Sequence, residues 1–241
     1  MTSSGLSPIS YSDQAEIDVE RFSALTFRMS FETAQFRKHL VKFYRDTYLL
    51  PLPSAVAGIV GAVLGVRRPE LAIKGKTLEL KTGSMMLGYE GLISETMTVI
   101  KMKGWREAIR TPKRNVMLFR PSYKLAIASS NDEMIGELAD RLRKMRFEFD
   151  PFGGNDYNFL SYIGDVREAK LVRTDRGYGC SRLSELRGIE GSGLVQVDEV
   201  NDGNVTKYAF GYRVSFLVRE GLAVDDGEHQ ILVHDAHSFL R

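Results

Sequence analysis

The sequence predicts an α+β fold: one large domain with a small β-rich appendage. Three observations carry that expectation. Leu25, Phe27, Met29 and Phe31 alternate with Ala24, Thr26, Arg28 and Ser30, the period-two signature of a half-buried strand. Ile135, Leu138, Leu142 and Met145 recur at spacings of three and four, one face of a helix over 132–146. The run over 71–103, with Gly-containing turns, the run over 115–129, one strand broken at Pro121 or two, and a further run over 167–174 read as strands. In order, residues 1–175 run strand, helix, several strands, helix, strand. That is the βαββαβ order of a ferredoxin-like unit with an enlarged middle.

Each element has its own justification. Residues 1–18 hold no basic cluster and no apolar core, so no signal peptide is expected there, only a frayed leader. After the first strand, Arg37, Lys38, Lys42 and Arg45 place four positive charges in 36–45 with no acid. Pro51 and Pro53 hold the chain extended, and Ser54 is placed to cap a helix of small residues. Its apolar run, Ala55 to Val66, is twelve residues, whereas a membrane span needs about 20. The run also tolerates three glycines, each costing about 1 kcal/mol in a helix, which implies close backbone approach. Arg67 and Arg68 are expected at its C-terminal end, where the helix dipole favours cations.

Farther on, 104–114 reads as a hairpin-like excursion punctuated by Gly104 and Pro112. Asn131 caps the second helix, with Asp132 and Glu133 at its start and Arg141, Arg143, Lys144 and Arg146 at its end. The chain turns at Gly153-Gly154 into a strand. Residues 176–241 then form the β-rich appendage, with turns at 201–203 and 225–227.

Composition removes several function classes. One cysteine, Cys180, cannot close an intrachain disulfide, and it is expected to serve packing. GIVGAVLG matches neither dinucleotide nor P-loop glycine patterns. His229, His234, His237 and Asp235 lack the spacing of a zinc site and read as a solvated tail. No metal, cofactor or catalytic residue is expected, and the chain reads as cytoplasmic. His39, among Lys38, Lys42, Tyr44 and Arg45, supplies the residue types of a metal-free ribonuclease, which would require those side chains to converge.

The strongest local feature is the window 101–124. It holds Lys101, Lys103, Arg106, Arg110, Lys113, Arg114, Arg120 and Lys124 against Glu107 alone, a local charge of +7, with Trp105, Phe119 and Tyr123 interleaved. Dispersed cations suit phosphates and aromatic rings suit exposed bases, so this window points to a nucleic-acid partner, the alternative being a solvated hairpin whose charges only aid solubility. A net charge of +2 over 241 residues conceals this segregation.

The motifs FETAQFRKH, TYLLPLPSAVAGIVGAVLGV, TPKRNVMLFRPSYKLAIA and FGGNDYNFLSYIGD follow one another in this order over residues 22 to 165. In this the chain resembles the CRISPR-associated protein 5 family, a repeat-associated (RAMP) subunit of type I Cascade complexes. The resemblance implies a ferredoxin-like, RRM-like domain over 1–175 with an extended β-hairpin thumb at about 101–116. It implies an RNA-binding subunit that holds the 5′ handle of the crRNA and caps the backbone filament. Backbone and large subunits would be partners, with target DNA met through the complex and no membrane involved. The implied RNA-binding residues are Arg37, Lys38, His39, Lys42, Arg45, Lys103, Trp105, Arg106, Arg110, Lys113, Arg114 and Tyr123. Cleaving members of the family, endoribonucleases that process repeat RNA, place a Lys-His pair near the thumb. Here that region has Lys113-Arg114, and no His occurs between His39 and His229, so a non-catalytic role is implied.

Overall fold

The computed structural model describes residues 17–38, 45–103 and 107–240. After a 3-10 turn the chain forms β1 (Ser23–Phe31), then short strands β2 (Thr33–Ala34), β3 (Phe36–Arg37) and β4 (Thr47–Tyr48). Helices α1 (Pro53–Leu64) and α2 (Arg68–Thr77) lead to β5 (Lys81–Gly88), β6 (Gly91–Lys103), β7 (Glu107–Phe119) and β8 (Ser122–Ser129). Helix α3 (Asp132–Arg143) precedes the long strand β9 (Leu160–Gly177). Then come β10 (Cys180–Arg182), β11 (Leu186–Glu190), β12 (Leu194–Asn201), β13 (Val205–Tyr212), β14 (Ser215–Asp225), β15 (Gln230–Leu232) and β16 (His234–Asp235).

The architecture is mixed α/β around a large antiparallel sheet. Its strand order is β11-β14-β9-β1-β8-β5-β16, with β15 also on β14. The central strand β1 pairs with β8 on one side and β9 on the other. Its alternation works as expected: Leu25, Phe27, Met29 and Phe31 enter one core with Val56 and Val60 of α1 and Leu138 and Leu142 of α3. Each such side chain contributes about 1.5–3 kcal/mol on burial.

The opposite face departs from the half-buried expectation. Ala24 and Thr26 are buried there too, because Val224, Ile231 and Val233 of the C-terminal strands cover that side. Only Arg28 and Ser30, toward the end of β1, retain access to solvent.

Helix α3 begins at the Asn131 cap, whose side chain accepts from the Met134 amide at 2.8 Å. Helix α1 is entered differently from the expectation. Leu52 is its cap and Pro53 its first residue, so Ser54 lies inside the first turn. Its glycines also divide: a Cβ at Gly61 would fall 2.6 Å from the Val66 carbonyl, whereas Gly58 meets nothing within 4 Å. Gly65, at φ 78°, ends the helix, and Arg68 opens α2 instead of finishing α1. Residues 71–77, expected as strand, are therefore helical.

Nor is 176–241 a separable appendage. Strand β9 runs unbroken through position 175, pairing with β1 over its first part and β14 over its second. Cys180, Tyr208, Phe210, Ala236, Phe239 and Leu240 share the main core. The three-stranded sheet β10-β13-β12 is tied to the β4 segment: Tyr48 Oη donates to the Glu199 carbonyl at 2.8 Å, and the Leu49 amide donates to Gln196 at 2.7 Å. The histidine-rich tail, expected to be solvated, is packed, and the buried Lys81 ammonium holds Asp235 at 2.6 Å. No described helix is long and apolar enough to cross a membrane.

Candidate nucleic-acid interface

The basic window folds into a two-stranded ribbon. Strands β6 and β7 pair in unbroken register from Gly91↔Phe119 to Lys103↔Glu107, thirteen positions each. At about 3.3 Å per residue each arm reaches roughly 40 Å. Among the described residues, only its foot is tied to other strands, through β2 on Leu118 and Phe119 and through Arg45 on Asn115. Thus the ribbon starts ten residues earlier than the expected thumb. Pro112 is tolerated in it because a two-stranded ribbon leaves one side of each strand without a ladder partner.

Period-two alternation decides which cations share a face. Arg110 and Arg114, four apart on β7, lie on one side and both are exposed. Arg114 Nε donates to Ser94 Oγ at 2.7 Å, which fixes that guanidinium beside β6. Lys113, half-buried, takes the opposite face. Lys103 occupies the last position of β6, opposite Glu107. His39, Lys42, Trp105 and Arg106 lie outside the described residues.

The foot is held by a buried amide network. Gln35 and Asn115 are 1% and 0% exposed, and the Gln35 side-chain amide donates to Asn115 Oδ1 and to the Val116 carbonyl at 3.0 Å. Asn115 in turn donates to Glu95 at 2.9 Å, and Asn155 donates to Gln35 Oε1 at 2.7 Å. Backbone bonds from Arg45 to Arg114 and from Val116 to Arg45, each 2.8 Å, stitch the segment before β4 to the ribbon. Among the described residues, Arg45 Nε is buried without a hydrogen-bond partner. An unsatisfied buried guanidinium nitrogen is costly.

Two expected contact residues are committed inside the protein. Tyr123 is 0% exposed, packed edge-on against Phe36 at 5.7 Å, and burial pushes its hydroxyl pKa up. Its ring has no free face for a base, which corrects the expectation drawn from its basic neighbours. Lys38 sits 2.8 Å from both Asp46 and Asp198. Burial disfavours its charge, but those two carboxylates outweigh burial and raise its pKa. It therefore ties β3 to β12. Arg37 is exposed on β3.

Burial pushes the Cys180 thiol up to about 12, so it is inert at neutral pH. Asp226, Glu228 and His229 bring ligand atoms within 4.8 Å of one another, a spacing that could hold a metal ion. The Lys124 ammonium already sits among them, at 2.9 Å, 2.9 Å and 3.1 Å from the three side chains. A cation is thus built into the fold there, and sequence reasoning missed it because the partners lie about a hundred residues apart.

The chain matches the family described as "CRISPR-associated protein (Cas_Cas5)" over residues 24–185, well over half its length. It belongs to that family. The match covers β1 from Ala24 onward, the ribbon and all of β9. No curated protein matches this CRISPR-associated protein. Among solved structures, a chain of "CRISPR RNA-guided surveillance complex" is similar in fold, with TM-score 0.50 and 15% identity over 82% of this chain and 91% of its own. A chain of "Crystal structure of Cas protein" has TM-score 0.41 and 15% identity over 84% of this chain and 95% of its own.

Proposed function

We propose that this CRISPR-associated protein is a non-catalytic, RNA-binding subunit of a type I Cascade effector complex, holding the 5′ handle of the crRNA. The observation that carries this reading is the ribbon: a projecting arm with exposed Arg110 and Arg114 on one face and an orphaned arginine nitrogen at its foot. Cations spaced along a narrow ribbon suit a single-stranded backbone, which offers phosphates in series and unstacked bases beside them. The sheet order β9-β1-β8-β5, with α1 and α3 as crossovers on one face, supports reading 23–177 as a ferredoxin-like domain of the repeat-associated superfamily. On that reading the partners are crRNA, a backbone subunit and the large subunit, with target DNA met through the assembly.

The test is a triple reversal, Arg110→Glu, Lys113→Glu and Arg114→Glu, measured by RNA co-purification and by affinity against salt. Losing three phosphate contacts should flatten the slope of log K against log salt by about 2, at roughly 0.7 per contact on single strands. Unchanged RNA recovery and slope would refute the reading. Purified protein incubated with a repeat RNA in EDTA should leave it intact; a specific cut would overturn the non-catalytic role.

A further inference from the structure

The loop before β9 presents aromatic rings outward, and it is built to hold them there. Phe152 and Phe159 face each other as an isolated antiparallel bridge, a geometry that sets Cβ atoms about 5 Å apart on one side. Yet they are 45% and 67% exposed, and Tyr157 between them is 40% exposed. The loop is not loose. Asn158 is fully buried within it and bonds to the Gly153 carbonyl at 2.9 Å through its side chain. Gly153 and Gly154 press against the β2–β3 backbone, where added Cβ atoms would lie 2.8 Å from the Thr33 carbonyl and 2.1 Å from that of Gln35. A paired, rigid, exposed aromatic surface is the mark of a preorganised interface.

Charge identifies the occupant. From 147 to 166 the chain carries Glu148, Asp150, Asp156 and Asp165 and no Lys or Arg. Asp150 and Asp156 flank the pair, and both are exposed. Glu32, whose amide bonds to the Phe159 carbonyl at 3.1 Å, adds a third acid and is only loosely met by Arg120 at 3.8 Å. Such an acid-bearing rim favours a cationic partner. We infer that the Phe152–Phe159 pair with Asp150 and Asp156 is a protein-docking site for a neighbouring subunit that presents Arg or Lys beside apolar side chains. Rings in the centre and acids at the rim match interface anatomy, and arginine can both stack on a ring and pair with a carboxylate.

This inference rests on the reading of the chain as a subunit of a guide-RNA complex, and one experiment separates the two. Full-length Phe152→Ser/Phe159→Ser and Asp150→Lys/Asp156→Lys variants are each co-produced with the complex's other subunits and crRNA. Incorporation is read by size exclusion, and affinity of the free protein for a single-stranded handle RNA by fluorescence anisotropy. Both variants should lose incorporation by roughly tenfold or more, with RNA affinity within about twofold and the melting temperature unchanged. Unchanged incorporation would overturn the inference. RNA affinity falling in parallel would make the patch a nucleic-acid site, and loss of self-association alone would assign it to a second copy; either also overturns it. Failure of the ribbon reversal to weaken RNA binding would instead sink the proposed function and leave the docking result standing.

Discussion

Lys124→Met tests how the two sides of the large sheet are joined. The Lys124 ammonium, its side chain 10% exposed, binds Asp226, whose side chain is 0% exposed, together with Glu228 and His229 Nδ1. Methionine keeps the volume and removes the charge, leaving a buried carboxylate without its cation. Breaking a buried pair in this way costs about 3–5 kcal/mol. Asp226 keeps the Thr26 hydroxyl at 3.0 Å and the amides of Glu228 and His229 at 3.1 Å and 2.9 Å, so the lower end applies. At about 2–4 °C per kcal/mol for a chain of this size, melting should fall by roughly 6–12 °C. Calorimetry at pH 7 reads the shift. Adding Asp226→Asn should recover about half of it, because the double variant buries no unpaired charge. A melting temperature within about 2 °C of wild type, or a double variant no better than the single, would refute the reasoning.

Acid should find the same cluster. Burial alone would raise the Asp226 carboxyl, but Lys124 and the two backbone amides outweigh it and hold the pKa at about 2, below the ordinary 3.8. A depressed carboxylate stabilises fully above its unfolded pKa and loses that contribution as pH falls, so melting should drop between about pH 4 and 2, less steeply in Lys124→Met. Equal slopes in the two proteins would assign the acid sensitivity elsewhere. Gly154→Ala should destabilise by about 2 kcal/mol or more, since position 154 has φ +95° and a Cβ would strike the Gln35 carbonyl. Thermal unfolding checks it, and an unshifted melt would show that the loop yields.

What the sequence revealed depended on how local each cause was. Strand β1 and helix α3 were legible because their own residues carry the period and the cap. Helix α2 was not: among its apolar side chains only Leu71 is buried, while Ile73 is 74% exposed, so LAIKGKTLELK alternates like a strand. The ribbon's basic character was legible, but summing charge along the window overcounted its free cations. Lys124 belongs to that +7 yet is neutralised by Asp226 and Glu228, acids that the sequence shows only as part of a distant segment. Tyr123 misled for the same reason, since the residues that bury it come from β1 and β3. The aromatic loop at 152–159 was read as a turn within a family motif, and its outward rings were missed, because they look like ordinary core residues until the surface is seen.

Strand β9 has a consequence for how the protein is made. Its first part completes β1, its second part awaits β14, and the sheet's far edge at β5 is closed by His234 and Asp235, close to the last residue described. Every central pairing therefore spans a long stretch of chain, which places folding in the slow, high-contact-order regime. A nascent chain keeps the face of Ala24 and Thr26 open until residues 224–233 leave the ribosome. Products of premature termination would retain the ribbon and its charge without a closed sheet beneath it. The C-terminal strands are therefore the last to close the sheet on which the ribbon stands.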